Sequence, residues 1–245
     1  MADILAADVS IEDLRPGANA GIRRGRKNSI DDMRAAVEVG FTHITSKVVA
    51  TRGNDIALML VHASGSGAQE PDAFQLDIYH VVEADSDGRT KAVAVFDIDA
   101  VGAAFAELDS RYLAGEAAAH PHTWSAITDA YGALNRGDIP PRTVDFADID
   151  HRSGATMAPG DLIDYLRVAF DETENNSLRI VAVHRLTDQG AVVTHVAKGT
   201  TPEGLDVEWR VTNVITIDGN LLNRVEMFDE SDVDAALARF EELAR

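Results

Sequence analysis

Cysteine is absent from this chain of 245 residues. That removes disulfides, thiolate nucleophiles and cysteine metal sites together. No apolar run reaches the roughly 18 residues that a membrane-spanning helix needs. The N-terminus lacks the basic-then-apolar pattern of a signal peptide. Positive charge is scarce: 22 Lys and Arg stand against 41 Asp and Glu, for a formal net charge of −19. Nucleic acid and anionic membranes attract basic surfaces, so neither is an expected partner. The one basic run, "IRRGRKN" from Ile22 to Asn28, is too short to reverse this and reads as a solvated loop. No HExxH-like spacing brings His, Asp and Glu together as metal ligands, and no G-x-S-x-G nucleophile elbow occurs. The glycine-bearing turns "RPGANAG" and "GSGAQ" lack the lysine and the strand–loop–helix context of a phosphate loop. The expectation is a soluble, cytoplasmic, acidic protein without metal or cofactor.

What is present is a core and a repeat. Hydrophobic residues make up 45% of the chain and charged residues 26%, a globular balance. The length suits two ordinary domains or one large one. "EDLRPG" (Glu12 to Gly17) faces "DHRSG" (Asp150 to Gly154). "DIALMLVHASG" (Asp55 to Gly65) faces "QGAVVTHVAKG" (Gln189 to Gly199). "PDAFQLDIYHVVEADSDG" (Pro71 to Gly88) faces "PEGLDVEWRVTNVITIDG" (Pro202 to Gly219). "KAVAVFDIDAVGAAFAEL" from Lys91 faces "NRVEMFDESDVDAALARFEEL" from Asn223. Four matches in one order, with small gaps, indicate domain duplication; solenoid units are shorter. The two copies span residues 1–112 and 120–245.

The second copy reads helix, short strand, helix, long strands, helix. "HTWSAITDAYGALNRGD" is a helix that stops at the Pro140–Pro141 breaker. In "APGDLIDYLRVAFDE", Pro159 sits near the first turn, and Leu162, Ile163, Leu166 and Phe170 share one face. Four β-branched runs follow, separated by "DQG", "TPEG" and "DGN", an antiparallel meander. A last helix, capped near Ser231, carries Val233, Leu237 and Phe240 on one stripe. The first copy has no room before Asp3 for a counterpart of the Trp124 helix. Either it is a trimmed domain or the chain is cut from a longer protein, and the cut is favoured.

The "DHR" after the first helix, the "DGN" hairpin and the final strand "NRVEMFD" resemble the SnoaL-like branch of the nuclear transport factor 2-like superfamily. Ketosteroid isomerase and limonene epoxide hydrolase belong to it. The resemblance covers nearly all of the second copy and about four-fifths of the first. It implies an α+β fold: two tandem cone-shaped domains, each a curved antiparallel sheet wrapped around helices over a conical pocket. Members often dimerise sheet on sheet, so the two copies are expected to pack as a pseudo-dimer through the sheets' outer faces.

Candidate chemistry follows from strand parity. On the last strand Arg224, Glu226 and Phe228 point one way; Asn223, Val225 and Met227 point the other. The resemblance puts a catalytic carboxylate near Glu226, whose counterpart in the first copy is Ala94. On the long middle strand Asp206, Glu208, Arg210 and Thr212 share one face, and Val207, Trp209, Val211 and Asn213 the other. The resemblance also implies an acid–arginine–acid group around one water, which Glu208, Arg210 and Glu226 would imitate. The plainer reading is an exposed cross-strand salt-bridge ladder. In the first copy Asp77, Tyr79 and Ala94 are read as occupying these places. His195 stands where the first copy has Val61. His184 and His151 complete the set, each readable as a base, a pocket donor or a satisfied core residue. Asp150 and His151 are further catalytic candidates. The "DHR" segment lies at the pocket mouth in SnoaL-like folds, but Asp150 and Arg152 are equally readable as a pair or as a cap for the next helix. Trp124 and Tyr131 read as core or as walls of a pocket for an apolar ligand, with Arg152, His195, Arg224 and Phe228.

The favoured function is binding of a small apolar ligand, or service as an assembly or regulatory module for a protein partner or within a larger parent polypeptide. The alternative is a cofactor-independent epoxide hydrolase, isomerase or polyketide cyclase confined to the second copy. The fold itself licenses neither.

Overall fold

A computed structural model describes residues 2–17, 21–67, 70–154 and 157–245. Ala18 to Ala20 of "RPGANAG" and Ala68 and Gln69 of "GSGAQ" lie outside the described residues. The chain forms two compact units, Met1–Gly115 and Glu116–Arg245.

The first unit runs β1 (Leu5–Asp13), β2 (Ile22–Arg24), α1 (Arg26–Glu38), β3 (Phe41–Arg52), β4 (Ile56–Gly67), β5 (Glu70–Ala84), β6 (Thr90–Asp97) and α2 (Val101–Ala114). The second runs α3 (Pro121–Asn135), β7 (Arg142–Asp150), α4 (Leu162–Asp171), β8 (Glu174–Thr187), β9 (Gly190–Thr200), β10 (Asp206–Asp218), β11 (Leu221–Asp229) and α5 (Val233–Leu243). The architecture is α+β. The sheet orders are β2-β1-β6-β5-β4-β3 and β7-β11-β10-β9-β8. Apart from β2, the orders correspond strand for strand. In each, the consecutive long strands pair antiparallel, and the unit's first long strand joins the last one in parallel. No helix is long and apolar enough to cross a membrane among the described residues.

Alternation along the strands gives the second sheet two different faces. Val192, Val214 and Phe228 point to one face and pack with Ala236 and Phe240 of α5. Val211 and Met227 point to the other, with Leu162 at the start of α4. Helix α3 also packs on β8 and β9. Helix α5 covers part of the outer face. The cap position of α5 is Asp232, next to Ser231, and its side chain makes no capping hydrogen bond among the described residues. The basic run is not a loop: it forms β2 and the first turn of α1.

Helix α4 begins where a β7 carboxylate meets it. Asp148 is buried, and its Oδ1 accepts from the backbone N–H of Gly160 and Leu162. Those N–H groups at the helix start have no partner within the helix. Asp148 therefore does the capping that the sequence allowed for Asp150 or Arg152.

The pairing registers correct the repeat over the middle strand. Ile78 opposes Val61 and Asp97, while Val211 opposes His195 and Asp229. Ile78 thus corresponds to Val211, so Gln75, Asp77 and His80 correspond to Glu208, Arg210 and Asn213. The "DG" match had shifted the strand because the β5–β6 turn holds Asp85 to Arg89, whereas the β10–β11 turn holds only Gly219 and Asn220.

Gly190 opens β9 with φ 156°, and a Cβ there would stand 2.0 Å from the Ile215 carbonyl oxygen. No side chain escapes that contact without moving β10. Gly190→Ala is expected to cost about 2 kcal/mol or more, read from the urea midpoint at unchanged slope.

Candidate functional site

The second unit holds a cavity of about 530 Å³. Its floor is the inner face of the sheet, including Val207, Trp209, Val211, Ile215, Val225 and Met227. Its roof is α4, through the face predicted from sequence: Leu162, Ile163, Leu166 and Phe170. Tyr131 of α3 closes one side. Leu166 and Phe170 are only partly buried, as side chains facing a cavity are.

One neutral polar cluster interrupts this apolar wall. His195 and Asn213 are diagonal neighbours, since His195 opposes Val211 and Asn213 opposes Val193. Asn213 Nδ2 donates to His195 Nδ1 at 2.7 Å, and the Tyr131 hydroxyl lies 2.9 Å from the same nitrogen. The Tyr131 and His195 rings meet edge to face, 5.6 Å between centroids. With Nδ1 accepting, the imidazole proton sits on Nε2. Burial, helped by the positive charge of Arg152, pushes His195 down to about 4, so the ring is neutral at physiological pH. Burial likewise pushes the Tyr131 hydroxyl up, against the hydrogen bond from Asn213.

Arg152 also lines the cavity. Its Nε and Nη2 donate to the two carboxylate oxygens of Asp150 at 2.9 and 2.7 Å. Burial alone would raise the Asp150 carboxyl, but the guanidinium overcomes this and holds it below its ordinary value. The cation therefore reaches the cavity already compensated. Asp13 and Arg15 form the same fork in the first unit. There His80 is pushed down to about 4, by burial first and then by Arg15.

Of the residues singled out from sequence, Tyr131, Arg152 and His195 stand in the cavity wall. Trp124, Arg224 and Phe228 do not. Trp124 is 1% exposed, a core residue of α3. Arg224 and Phe228 lie on the outer face because the parity grouping was right but the cavity took the opposite group. None of the expected catalytic residues Glu226, Glu208, Arg210, Asp150 and His151 lines the cavity either. Glu208 and Arg210 form the exposed ladder: Arg210 bonds Glu208 and Glu230, and Lys198 pairs with Glu208. Glu226 does not join them. Its carboxylate, 0% exposed, takes both Nε and Nη2 of Arg239, Nη1 of Arg224 and Nε2 of His151, at 2.8–3.0 Å. The His151 ring stacks on Phe228 at 4.5 Å. Asn213 and the α4 residues were missed as site residues. The signal was there: a lone amide among apolar neighbours on one strand face. No group of His, Asp and Glu is placed to hold a metal among the described residues.

No family model matches the chain, and no curated protein matches it. The solved structures similar to it include nuclear transport factor 2-like and SnoaL-like proteins. A SnoaL-like protein from Jannaschia sp. CCS1 is 13% identical, covering 49% of this chain and 92% of its own, with a TM-score of 0.37. A nuclear transport factor 2-like protein from Burkholderia thailandensis E264 is 17% identical over 49% of this chain and 97% of its own, with a TM-score of 0.37. The epoxide hydrolase/cyclase-like enzyme SalBIII is 14% identical over 39% of this chain and 73% of its own, with a TM-score of 0.30.

Two predictions follow from the two faces. The His195 imidazole should not titrate above about pH 5, where a free histidine titrates near 6.5; its ring resonance followed from pH 7.5 to 4.5 tests this. The sign for stability is that the unfolded chain binds the proton first. His195 therefore favours folding above 6.5, and that stability is lost as pH falls towards 4. On the outer face, Glu226→Gln leaves two guanidinium groups without their shared charge and should cost about 3 kcal/mol. Burial opposes the Glu226 charge, but its partners prevail and hold the carboxyl below 4.5. The mutant should therefore lose part of the wild type's fall in stability below pH 4.5, measured by denaturation at stepped pH.

Proposed function

We propose that the second unit binds one small, largely apolar molecule in this cavity, with the molecule's polar group on the Tyr131–His195–Asn213 cluster. The observation that carries the reading is the cavity of about 530 Å³ around a single neutral polar cluster. Ligand pockets have this size and make-up: apolar walls, with a few polar groups that fix orientation. The first unit is the structural partner in this reading. Val61 replaces the histidine, and it packs with Ile78, Val95 and neighbouring apolar side chains.

A second reading makes the cavity an acid–base site for isomerisation, cyclisation or epoxide opening. The neutral imidazole beside a phenol favours it, because an Nε2–H and a phenol O–H then stand together in an apolar cavity as proton donors that carry no charge at rest.

The test is a thermal-shift and native mass spectrometry screen with steroids, terpenoid epoxides and aromatic polyketides. Ala169→Trp, which fills the cavity from α4, should abolish the shift. His195→Phe should weaken a bound ligand about tenfold, the worth of one buried hydrogen bond. Turnover by wild type but intact binding by His195→Phe would establish the second reading. Binding undisturbed by Ala169→Trp would rule out this cavity.

A further inference from the structure

A second depression adjoins the cavity where β7 begins, and the two share Pro140, Arg142, Phe146 and Ile163 as walls. Most charges in it are already matched. Asp148 Oδ1 accepts from the N–H groups of Gly160 and Leu162, and Asp164 pairs with Arg167 at 2.8 Å. Arg142 makes no ion pair and no side-chain hydrogen bond among the described residues. Beside it, the Thr143 hydroxyl is buried without a hydrogen-bond partner. Arg142 is exposed to solvent, so its guanidinium is free to meet an incoming anion, and the buried Thr143 hydroxyl beside it is a donor still lacking an acceptor.

The far end of the cavity has the opposite character. Glu172 and Glu203 line it, and neither is in an ion pair among the described residues. Lys198, the cation there, is paired with Glu208 at 3.0 Å. The two ends are well separated. Val207 lies near Lys198, which opposes Glu208, whereas Ile215 lies near Leu222, the partner of Arg142. Val207 and Ile215 are eight residue steps apart on β10, about 26 Å of strand. The neutral His195–Asn213 pair stands between them.

Resting on the ligand-binding reading above, we propose that the ligand is an elongated amphiphile: an apolar body along the cavity and one oxyanion, carboxylate or phosphate, held at Arg142. A free anion at the other end would face Glu172 and Glu203, so orientation as well as affinity follows from the charges. The centre offers only neutral groups and a compensated arginine, so it adds no competing anion site.

The experiment is calorimetric titration of the full chain with decanoate, decyl phosphate, decanol and decylamine, each below its micelle concentration. One or both anions should bind about tenfold tighter than decanol, and decylamine weakest; the relative strengths of the anions identify the headgroup. Arg142→Gln should bring the anion-to-alcohol ratio close to one, and Arg142→Glu should shift the preference to decylamine. Melting curves of both variants check their folding. Decanol binding as tightly as the anions in wild type, or a ratio unmoved by both variants, overturns the anion assignment and leaves the apolar cavity standing. Compact ligands binding while no decyl chain does overturns the elongated shape. If neither chains nor the compact panel bind, the ligand-binding reading fails, and this inference with it.

Discussion

Glu226 has no access to water, yet its surroundings hold it ionised. Removing a carboxylate from water is costly, and only several well-placed donors offset that cost. Here the donors come from different segments: Arg239 from α5, Arg224 from the same strand, and His151 from the segment after β7. The charge therefore clamps α5 onto the outer face of the sheet and fixes the end of β7. His151 is followed at once by Arg152, which lines the cavity and is gripped by Asp150. Two adjacent residues are held on opposite sides of the sheet, one by an acid outside and one by an acid at the cavity's edge.

The element order of the second unit was legible because each signal was local: proline at helix starts, short turns, a 3.6-residue apolar stripe in α4. The pocket-facing side was not. Parity sorted β10 and β11 into the correct groups, but the charged group was taken for the site. Charges on a strand are cheapest in water, and a closed cavity must be apolar nearly throughout. Glu208 and Arg210 follow that rule on the surface. Glu226 breaks it, and only a contact with α5, more than ten residues away in sequence, shows why it is tolerated. The repeat was legible at its ends and slipped in the middle, because a turn motif was matched where turn lengths differ.

With the register corrected, the units differ by an exchange. The second unit has His195 on β9 and Asn213 on β10, where the first has Val61 and His80. Each keeps the acid–arginine fork and one uncharged imidazole, on neighbouring strands. In the second unit the imidazole meets a phenol and an amide. In the first its charged neighbours are Arg15 and Asp13, while Val61 is absorbed into packing.

The parallel pairing of β7 with β11 bears on how the second unit is assembled. Among the described residues β7 has no strand partner but β11, and the antiparallel strands β8, β9 and β10 lie between them in the chain. Neighbouring hairpins close quickly, whereas a contact across such a span waits for a long loop to close. Phe146 can meet Leu162, Leu166 and Val211 before β11 is made, but Val225 and Met227 join the cavity floor only when β11 pairs with β7, so the cavity is completed last on that side.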